Sequence, residues 1–174
     1  MKNDHRPRVE VPGVGTWTLE SPGGEIEFIR NQDAYARIHA PLQKALSTVG
    51  VPVVFVDPGK RFIIVDAQDE LLRGDAATGE LKSVASLTRM EDRGFRRATF
   101  VTAQSTSSPV FIYELGIIVF DVDGLPLWSR ADFKLDHHFE RIEDGRIIYS
   151  SEHRGQWSYD LFTGRTSRLP TTEQ

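Results

Sequence analysis

The sequence contains no cysteine among its 174 residues, and this absence excludes several kinds of chemistry. A chain without cysteine has no disulfide framework, no thiolate nucleophile and no cysteine-based metal site. The absence is typical of proteins from a reducing cytoplasm, but bacterial secreted proteins share it. Cysteine content therefore restricts the chemistry of the protein more than its location.

Long hydrophobic runs are also absent. A membrane-spanning helix needs about 20 apolar residues, whereas the longest run here, residues 115–120, is interrupted by Gly116. Residues 1–8 are charged and are not followed by the apolar stretch of a secretory signal. We therefore expect a cytoplasmic protein with no cleaved signal and no membrane contact.

Charge of either sign is only weakly in excess. The chain has 21 Lys and Arg against 25 Asp and Glu, a net charge of −4, which argues against a general nucleic-acid binder. Its length and its 39% hydrophobic residues fit one soluble globular domain. We predict a single β-rich domain over residues 1–174, with residues 1–13 and 170–174 flexible. The oligomeric state stays open.

One turn motif occurs twice. Asp-x-x-Thr-Gly occupies residues 75–79 and 160–164, each after a strand-like run, and a related Asp-x-Asp-Gly turn spans 121–124. An aspartate that accepts hydrogen bonds from its own turn, followed by glycine with positive φ, closes a β-hairpin at low energetic cost. The motif predicts short antiparallel strands joined by tight turns.

The rest of the chain predicts about ten or eleven short strands and one helix. Residues 110–120 are the most apolar run and are expected to form one central strand. Residues 33–49 have helical spacing, with Gly50 as a left-handed stop and a kink at Pro41. The fold class is therefore mainly β, an antiparallel meander or a sandwich, with one N-terminal helical segment.

The spacing of the turns resembles that of β-propeller repeats. Their first aspartates, at 75, 121 and 160, are 46 and 39 residues apart, the length of a four-stranded propeller blade. The resemblance covers about residues 60–170 and implies a small propeller-like arrangement. Because any antiparallel meander uses similar turns, a sandwich or a curled meander with the helix across one face stays open.

The segment around Asp121 resembles a second family. An apolar strand that ends in Asp-x-Asp-Gly is similar to the nucleophile motif of haloacid-dehalogenase-like phosphatases. The resemblance implies Asp121 as nucleophile, Asp123 as acid and base, and a bridging Mg²⁺. However, Leu125 stands where that family has threonine, and only 50 residues follow the motif. We interpret the segment as a β-turn and expect no catalytic residue and no cofactor.

A histidine cluster raises the question of a metal site. Asp136, His137 and His138 are consecutive, and Asp132 lies close by. Neighbouring residues of a strand point to opposite faces, so the two histidines do not readily bind one ion. We expect one inward-facing histidine and no metal.

Arginine and aromatic side chains supply the candidate contact surface. The aromatic residues of the last hairpins either belong to the core or form an exposed recognition patch with neighbouring cations. The candidate binding residues are Arg93, Arg96, Arg97, His153, Arg154, Trp157 and Tyr159. The predicted function is a non-enzymatic, soluble interaction domain that binds a protein partner in an inhibitor, immunity-type or adaptor role. The alternative is a metal-dependent hydrolase that uses Asp121 and Asp123.

Overall fold

The structure is a computed structural model of the chain. It describes residues 8–11, 15–20, 25–30, 33–39, 53–59, 61–67, 69–75, 77–78, 81–91, 97–103, 107–134 and 136–170. Before residue 53, and at Leu81, only the backbone is described.

Sixteen strands are present in the described part of the chain, and they form four antiparallel sheets of four strands each. Every sheet is a simple meander, in which each strand pairs with its neighbour in sequence. The strands are β1 Arg8–Val11, β2 Gly15–Glu20, β3 Glu25–Arg30, β4 Asp33–His39, β5 Val54–Val56, β6 Phe62–Asp66, β7 Glu70–Asp75, β8 Leu81–Ser86, β9 Ala98–Ala103, β10 Ser108–Tyr113, β11 Gly116–Phe120, β12 Pro126–Arg130, β13 His138–Glu143, β14 Arg146–Ser151, β15 Gly155–Asp160 and β16 Thr166–Arg168.

The prediction of a mainly β antiparallel fold is confirmed. The described residues include no helix with the length and hydrophobicity of a membrane span. The contacts between residues divide the chain into two compact units, residues 1–87 and 88–174. The first unit contains β1–β8 and the second contains β9–β16.

The helix predicted over residues 33–49 is wrong in its first part. Asp33–His39 is strand β4, which pairs with β3 and places Ile38 opposite Ile26. Pairing with β3 gives the backbone N–H and C=O groups of this segment a sheet ladder in place of helical hydrogen bonds, so tertiary context overrides local spacing. Residues 40–52 lie outside the described residues. Strand β1 also lies within residues 1–13, which the sequence predicted to be flexible.

The single central strand predicted over residues 110–120 is a hairpin instead. Strands β10 and β11 pair antiparallel, with Tyr113 opposite Gly116. The segment is apolar apart from Glu114 because both faces of the two strands are almost fully buried. A Cβ atom on Gly116 would lie 1.9 Å from the backbone oxygen of Arg130, so glycine at this position permits the close approach of β12.

The core of the second unit lies between its two sheets. Phe133, on the connection between them, is buried, and its N–H donates to the carbonyl of Leu115 over 3.0 Å. Apolar side chains of both sheets complete this core: Ala103, Val110, Ile117, Val119, Ile147, Tyr149, Tyr159 and Leu161. Phe133 therefore fixes the connection between the two sheets at one point.

The turn between the third and fourth strands has the same construction in the second, third and fourth sheets. Asp75 ends β7, Asp121 follows β11 and Asp160 ends β15. In each turn, Oδ1 of the aspartate accepts hydrogen bonds from backbone N–H groups two to four positions ahead, over 2.8–3.1 Å. The turn prediction is confirmed, and the three turns occupy the same position in their sheets.

The threonine of the Asp-x-x-Thr-Gly motif adds a further bond. Its hydroxyl donates to the same Oδ1, over 3.2 Å at Thr78 and 2.8 Å at Thr163. The N–H of Thr78 is the main cause that lowers the pKa of Asp75, and the hydroxyl of Thr163 is the main cause that lowers the pKa of Asp160. Both carboxylates therefore act as fixed acceptors within their own turns.

Candidate binding site

The connection between β12 and β13 borders two cavities of the second unit. One has a volume of about 580 Å³ and the other about 440 Å³, and Phe133 and His137 line both. We call the first the arginine pocket, defined by Arg130, Asp132, His153, Arg154, Trp157 and Arg168. We call the second the aromatic cavity, defined by Arg97, Ile112, Phe133, His137, Phe139 and Tyr149.

His137 separates the two cavities. Its side chain is 7% exposed and lies edge-on to Phe133 and Trp157, with ring centroids 5.4 and 4.9 Å away. Neither ring nitrogen has a hydrogen-bond partner among the described residues. Burial lowers the pKa of His137, so the ring is neutral near pH 7. The prediction of one inward histidine is confirmed, since His138 is exposed.

Asp136 connects this segment to the turn between β14 and β15. Its Oδ2 accepts a hydrogen bond of 2.7 Å from the hydroxyl of Ser151, which lowers the pKa of Asp136. The Ser151 hydroxyl oxygen in turn accepts the N–H groups of His153 and Arg154, over 3.2 and 3.3 Å. Gly155 ends the turn with a φ of +71°. These bonds place His153 and Arg154 at the rim of the arginine pocket.

The other arginines are placed by strand register. Arg168 of β16 lies opposite Trp157 of β15. Arg130 ends β12, and its guanidinium carbon lies 5.4 Å from the centroid of the Tyr159 ring. Three different segments thus bring guanidinium groups to one cavity beside a half-buried tryptophan.

The arginine pocket carries an excess of positive charge. Arg130, Arg154 and Arg168 line it together with one acidic residue, Asp132. Within the described part of the chain, none of these arginines forms a salt bridge. Guanidinium groups donate paired hydrogen bonds that match carboxylate and phosphate oxygens. The pocket is therefore suited to an anionic group.

The structure brings four of the predicted binding residues together, His153, Arg154, Trp157 and Tyr159. Tyr159 is buried in the core, where its ring stacks on that of Phe133. Its assignment to an exposed contact surface is therefore wrong. Trp157 is only half-buried and stays accessible from the pocket.

The predicted arginine loop contributes little to this pocket. Arg93 and Arg96 lie outside the described residues, and Arg97 is exposed and lines the aromatic cavity. Arg89, just before this loop, forms a buried pair with Glu114. Its Nε and Nη2 atoms donate to the two carboxylate oxygens over 2.7 and 3.1 Å.

Sequence reasoning did not identify Arg130 and Arg168, and it considered Asp132 only as a neighbour of the histidine cluster. The Asp-x-x-Thr-Gly turn at residues 160–164 contained a signal for Arg168, because the hairpin that this turn closes sets Arg168 opposite Trp157. Arg130 and Asp132 had no such signal, since they reach the pocket only through the packing of one sheet on another.

The Asp121 motif forms a turn. Oδ1 of Asp121 accepts the N–H groups of Asp123 and Leu125, each over 2.9 Å, and Gly124 has a φ of +74°. Over the described ranges, no group of three or more His, Asp or Glu residues is arranged to hold a metal ion.

Comparison with known proteins supports the fold alone. No family model matches the sequence, and no curated protein matches it. The chain is similar to the extracellular domain of the putative hybrid two component system BT4673 from B. thetaiotaomicron, with 13% identity and a TM-score of 0.54 over 91% of this chain and 22% of that one. A second structure, the extracellular domain of the putative one component system BT4673 from the same organism, has 11% identity and a TM-score of 0.52 over 88% and 21%.

BamB from Moraxella catarrhalis has 15% identity and a TM-score of 0.46 over 89% of this chain and 45% of that one. For the two BT4673 structures, the chain spans about a fifth of their length. The repeated four-stranded meanders are consistent with the propeller-type repeat that the turns resemble.

Proposed function

We propose that this chain is a non-enzymatic interaction domain that binds an acidic segment of a protein partner in the arginine pocket. The observation that carries the proposal is the convergence of Arg130, Arg154 and Arg168 on one cavity with a single aspartate. The net charge of the chain is −4, so this positive region is a local feature of an acidic protein.

The residue types in the pocket are those that dominate protein recognition. Tryptophan and arginine are enriched among the residues that contribute most to binding energy. Trp157 offers an apolar ring at the pocket wall, while Arg154 and Arg168 are exposed at its rim. An acidic peptide would pair its carboxylates with the guanidinium groups and cover the indole with its aliphatic carbons.

The geometry argues against the hydrolase alternative. Oδ1 of Asp121 accepts two N–H groups of its own turn, which gives this aspartate the structural role of a turn acceptor. An inhibitor, an immunity-type protein and an adaptor would each use a binding surface without catalysis. The cytoplasmic location stays a prediction.

The test uses a fluorescein-labelled hexaglutamate peptide as a probe and measures its anisotropy with the full chain. We expect saturable binding that weakens as the salt concentration rises, because exposed charge pairs are screened. Reversing two charges with Arg154→Glu and Arg168→Glu should weaken binding by at least about tenfold, which corresponds to about 1.4 kcal/mol.

Arg146→Glu, which reverses one charge where the double variant reverses two, is the control for charge reversal outside the pocket, since Arg146 is also exposed but does not line the pocket. It should retain the affinity of the wild type within about twofold, because a distant exposed charge is largely screened. Equal losses in Arg146→Glu and in the double variant, or no binding by the wild type, would overturn the proposal.

A further inference from the structure

The aromatic cavity lies where the core of the second unit reaches the surface between its two sheets. Its volume is about 440 Å³, within the range of about 300–1,000 Å³ that is usual for ligand pockets. Ile112 of β10 and Phe139 of β13 line the cavity and pack against the core, yet both side chains are only partly buried. The cavity therefore has two apolar walls that a bound molecule can contact.

Polar side chains beside β9 and within it line the same cavity. Thr99 lies opposite Ile112 in the register of β9 and β10, and directly opposite residues point to the same face of a sheet. Arg97 comes directly before β9, two residues before Thr99, so strand alternation directs both side chains toward the cavity. Arg97 and Thr99 are exposed. The cavity thus combines apolar walls with a polar, accessible rim.

Arg97 gives this rim a positive charge. Among the described residues, no carboxylate forms a salt bridge with Arg97. Glu114 also lines the cavity, but its side chain is 2% exposed and both of its carboxylate oxygens accept hydrogen bonds from Arg89. The negative charge of Glu114 is therefore compensated, and the Arg97 guanidinium is able to donate paired hydrogen bonds to a carboxylate.

We infer that the aromatic cavity binds a small aromatic carboxylate, whose ring lies against Ile112 and Phe139 and whose carboxylate pairs with Arg97. Phe139 lies edge-on to the buried ring of Tyr149, with centroids 5.8 Å apart, so this wall is held in place by the core. The inference goes beyond the proposed docking of an acidic segment, because the arginines of the arginine pocket do not line the aromatic cavity.

The test uses three probes with the ¹⁵N-labelled full chain: 2-naphthoate, its uncharged counterpart 2-naphthamide, and acetate, which has the carboxylate without the rings. We expect saturable chemical-shift changes with 2-naphthoate that centre on residues 97–99, 112 and 138–139. Binding of 2-naphthamide should be at least about fivefold weaker, because it lacks the charge that pairs with Arg97. Acetate should show no saturable binding, because it covers neither apolar wall.

Two arginine variants test the charged contact. Arg97→Gln should weaken the binding of 2-naphthoate by at least about fivefold and leave that of 2-naphthamide unchanged. Arg165→Gln is the matched control, because Arg165 is also exposed but lines neither cavity. It should bind both probes as the wild type does.

Two threonine variants test the cavity itself. Thr99→Trp places a large side chain in the cavity and should abolish the saturable binding of 2-naphthoate. Thr102 is also exposed in β9, but strand alternation directs it to the opposite face. Thr102→Trp should therefore retain the affinity of the wild type.

Absence of saturable 2-naphthoate binding to the wild type would overturn the inference. So would equal affinity for 2-naphthoate and 2-naphthamide, shifts that centre on the arginine pocket, or equal loss in a variant and its control. Hexaglutamate plays no part in this test, so the failure of this inference and that of the docking proposal are distinguishable.

Discussion

The indole ring of Trp128 packs against Gly164, the last residue of the second Asp-x-x-Thr-Gly turn. A Cβ atom built on Gly164 would lie 2.9 Å from Cδ2 and 3.1 Å from Cε3 of the indole. The indole N–H donates to the carbonyl of Leu161 over 2.8 Å. Because Trp128 lies in β12 and Gly164 follows β15, this contact joins the two sheets of the second unit through a repeated turn.

Substitution of Gly164 by alanine should therefore destabilise the protein for two reasons. Its φ of +65° lies in the left-handed region, which costs an L-residue about 1–2 kcal/mol. The added methyl group also meets the Trp128 ring, which costs about 1–3 kcal/mol more. Urea denaturation measures the loss in free energy of unfolding.

Gly155→Ala is the control for backbone strain alone. Gly155 has a φ of +71°, and a Cβ atom there would meet nothing within 4 Å. The Gly155→Ala variant should therefore lose only the free energy that backbone strain costs, about 1–2 kcal/mol. Equal destabilisation by Gly164→Ala and Gly155→Ala would show that the contact with Trp128 has no energetic role.

The turn role of Asp121 predicts different effects for two substitutions. Asp121→Asn keeps an oxygen that accepts the N–H groups of Asp123 and Leu125, and should cost about 0.5 kcal/mol or less, whereas Asp121→Ala should cost about 1–2 kcal/mol. Thermal unfolding measures both. A rise in the wild-type melting temperature with Mg²⁺ that both substitutions abolish would instead identify a metal ligand.

The buried ring of His137 predicts a pH dependence of stability. The unfolded chain takes up a proton on this ring at about pH 6.5, whereas burial lowers the pKa in the folded protein. The unfolded state thus binds more protons over this range, so the free energy of unfolding should decrease as the pH falls from 7.5 to 5.5. Among nearby charges, Asp136 and Asp132 oppose this shift, while Arg154 and Lys134 reinforce it.

His137→Phe should remove much of this dependence, and His153→Gln should keep it because His153 is exposed. Melting temperatures at pH 5.5, 6.5 and 7.5 provide the comparison. The aspartates with lowered pKa values affect stability only in more acidic solution, below about pH 5, so they do not interfere. An unchanged slope in His137→Phe would contradict this assignment.

The Arg89–Glu114 pair predicts a large penalty when one partner is neutralised. The two side chains are only 5% and 2% exposed, so Glu114→Gln should remove the negative charge that faces a buried guanidinium and cost about 3–5 kcal/mol. In the exposed pair of Arg141 and Glu143, Glu143→Gln should cost less than about 1 kcal/mol. Similar losses of free energy of unfolding in the two variants would contradict the expected difference between the buried pair and the exposed pair.

The hairpins could be predicted because their determinants are local. An aspartate, a threonine and a glycine within five residues form each repeated turn, and the bonds at Asp160 involve only its near neighbours. The errors arose where this motif is lacking or where a distant residue decides. Strand β4 pairs with β3, its neighbour in sequence, without such a turn motif, whereas the division of residues 110–120 depends on the approach of Arg130 to Gly116.

The pocket was predicted only in part for the same reason. His153, Arg154 and Trp157 are close in sequence and were identified together, but Arg130 arrives from another sheet. The burial of Tyr159 likewise depends on Phe133, which lies on the connection between β12 and β13. No local pattern contains this information.

The indole signals of the three tryptophans offer the most direct test of acidic-segment binding in the arginine pocket. In a titration of ¹⁵N-labelled protein with hexaglutamate, the indole signal of Trp157 should shift in a saturable manner. The signal of Trp128, whose indole N–H is bonded to the Leu161 carbonyl, should stay in place. A stationary Trp157 signal at peptide saturation, or equal shifts of both signals, would contradict the account.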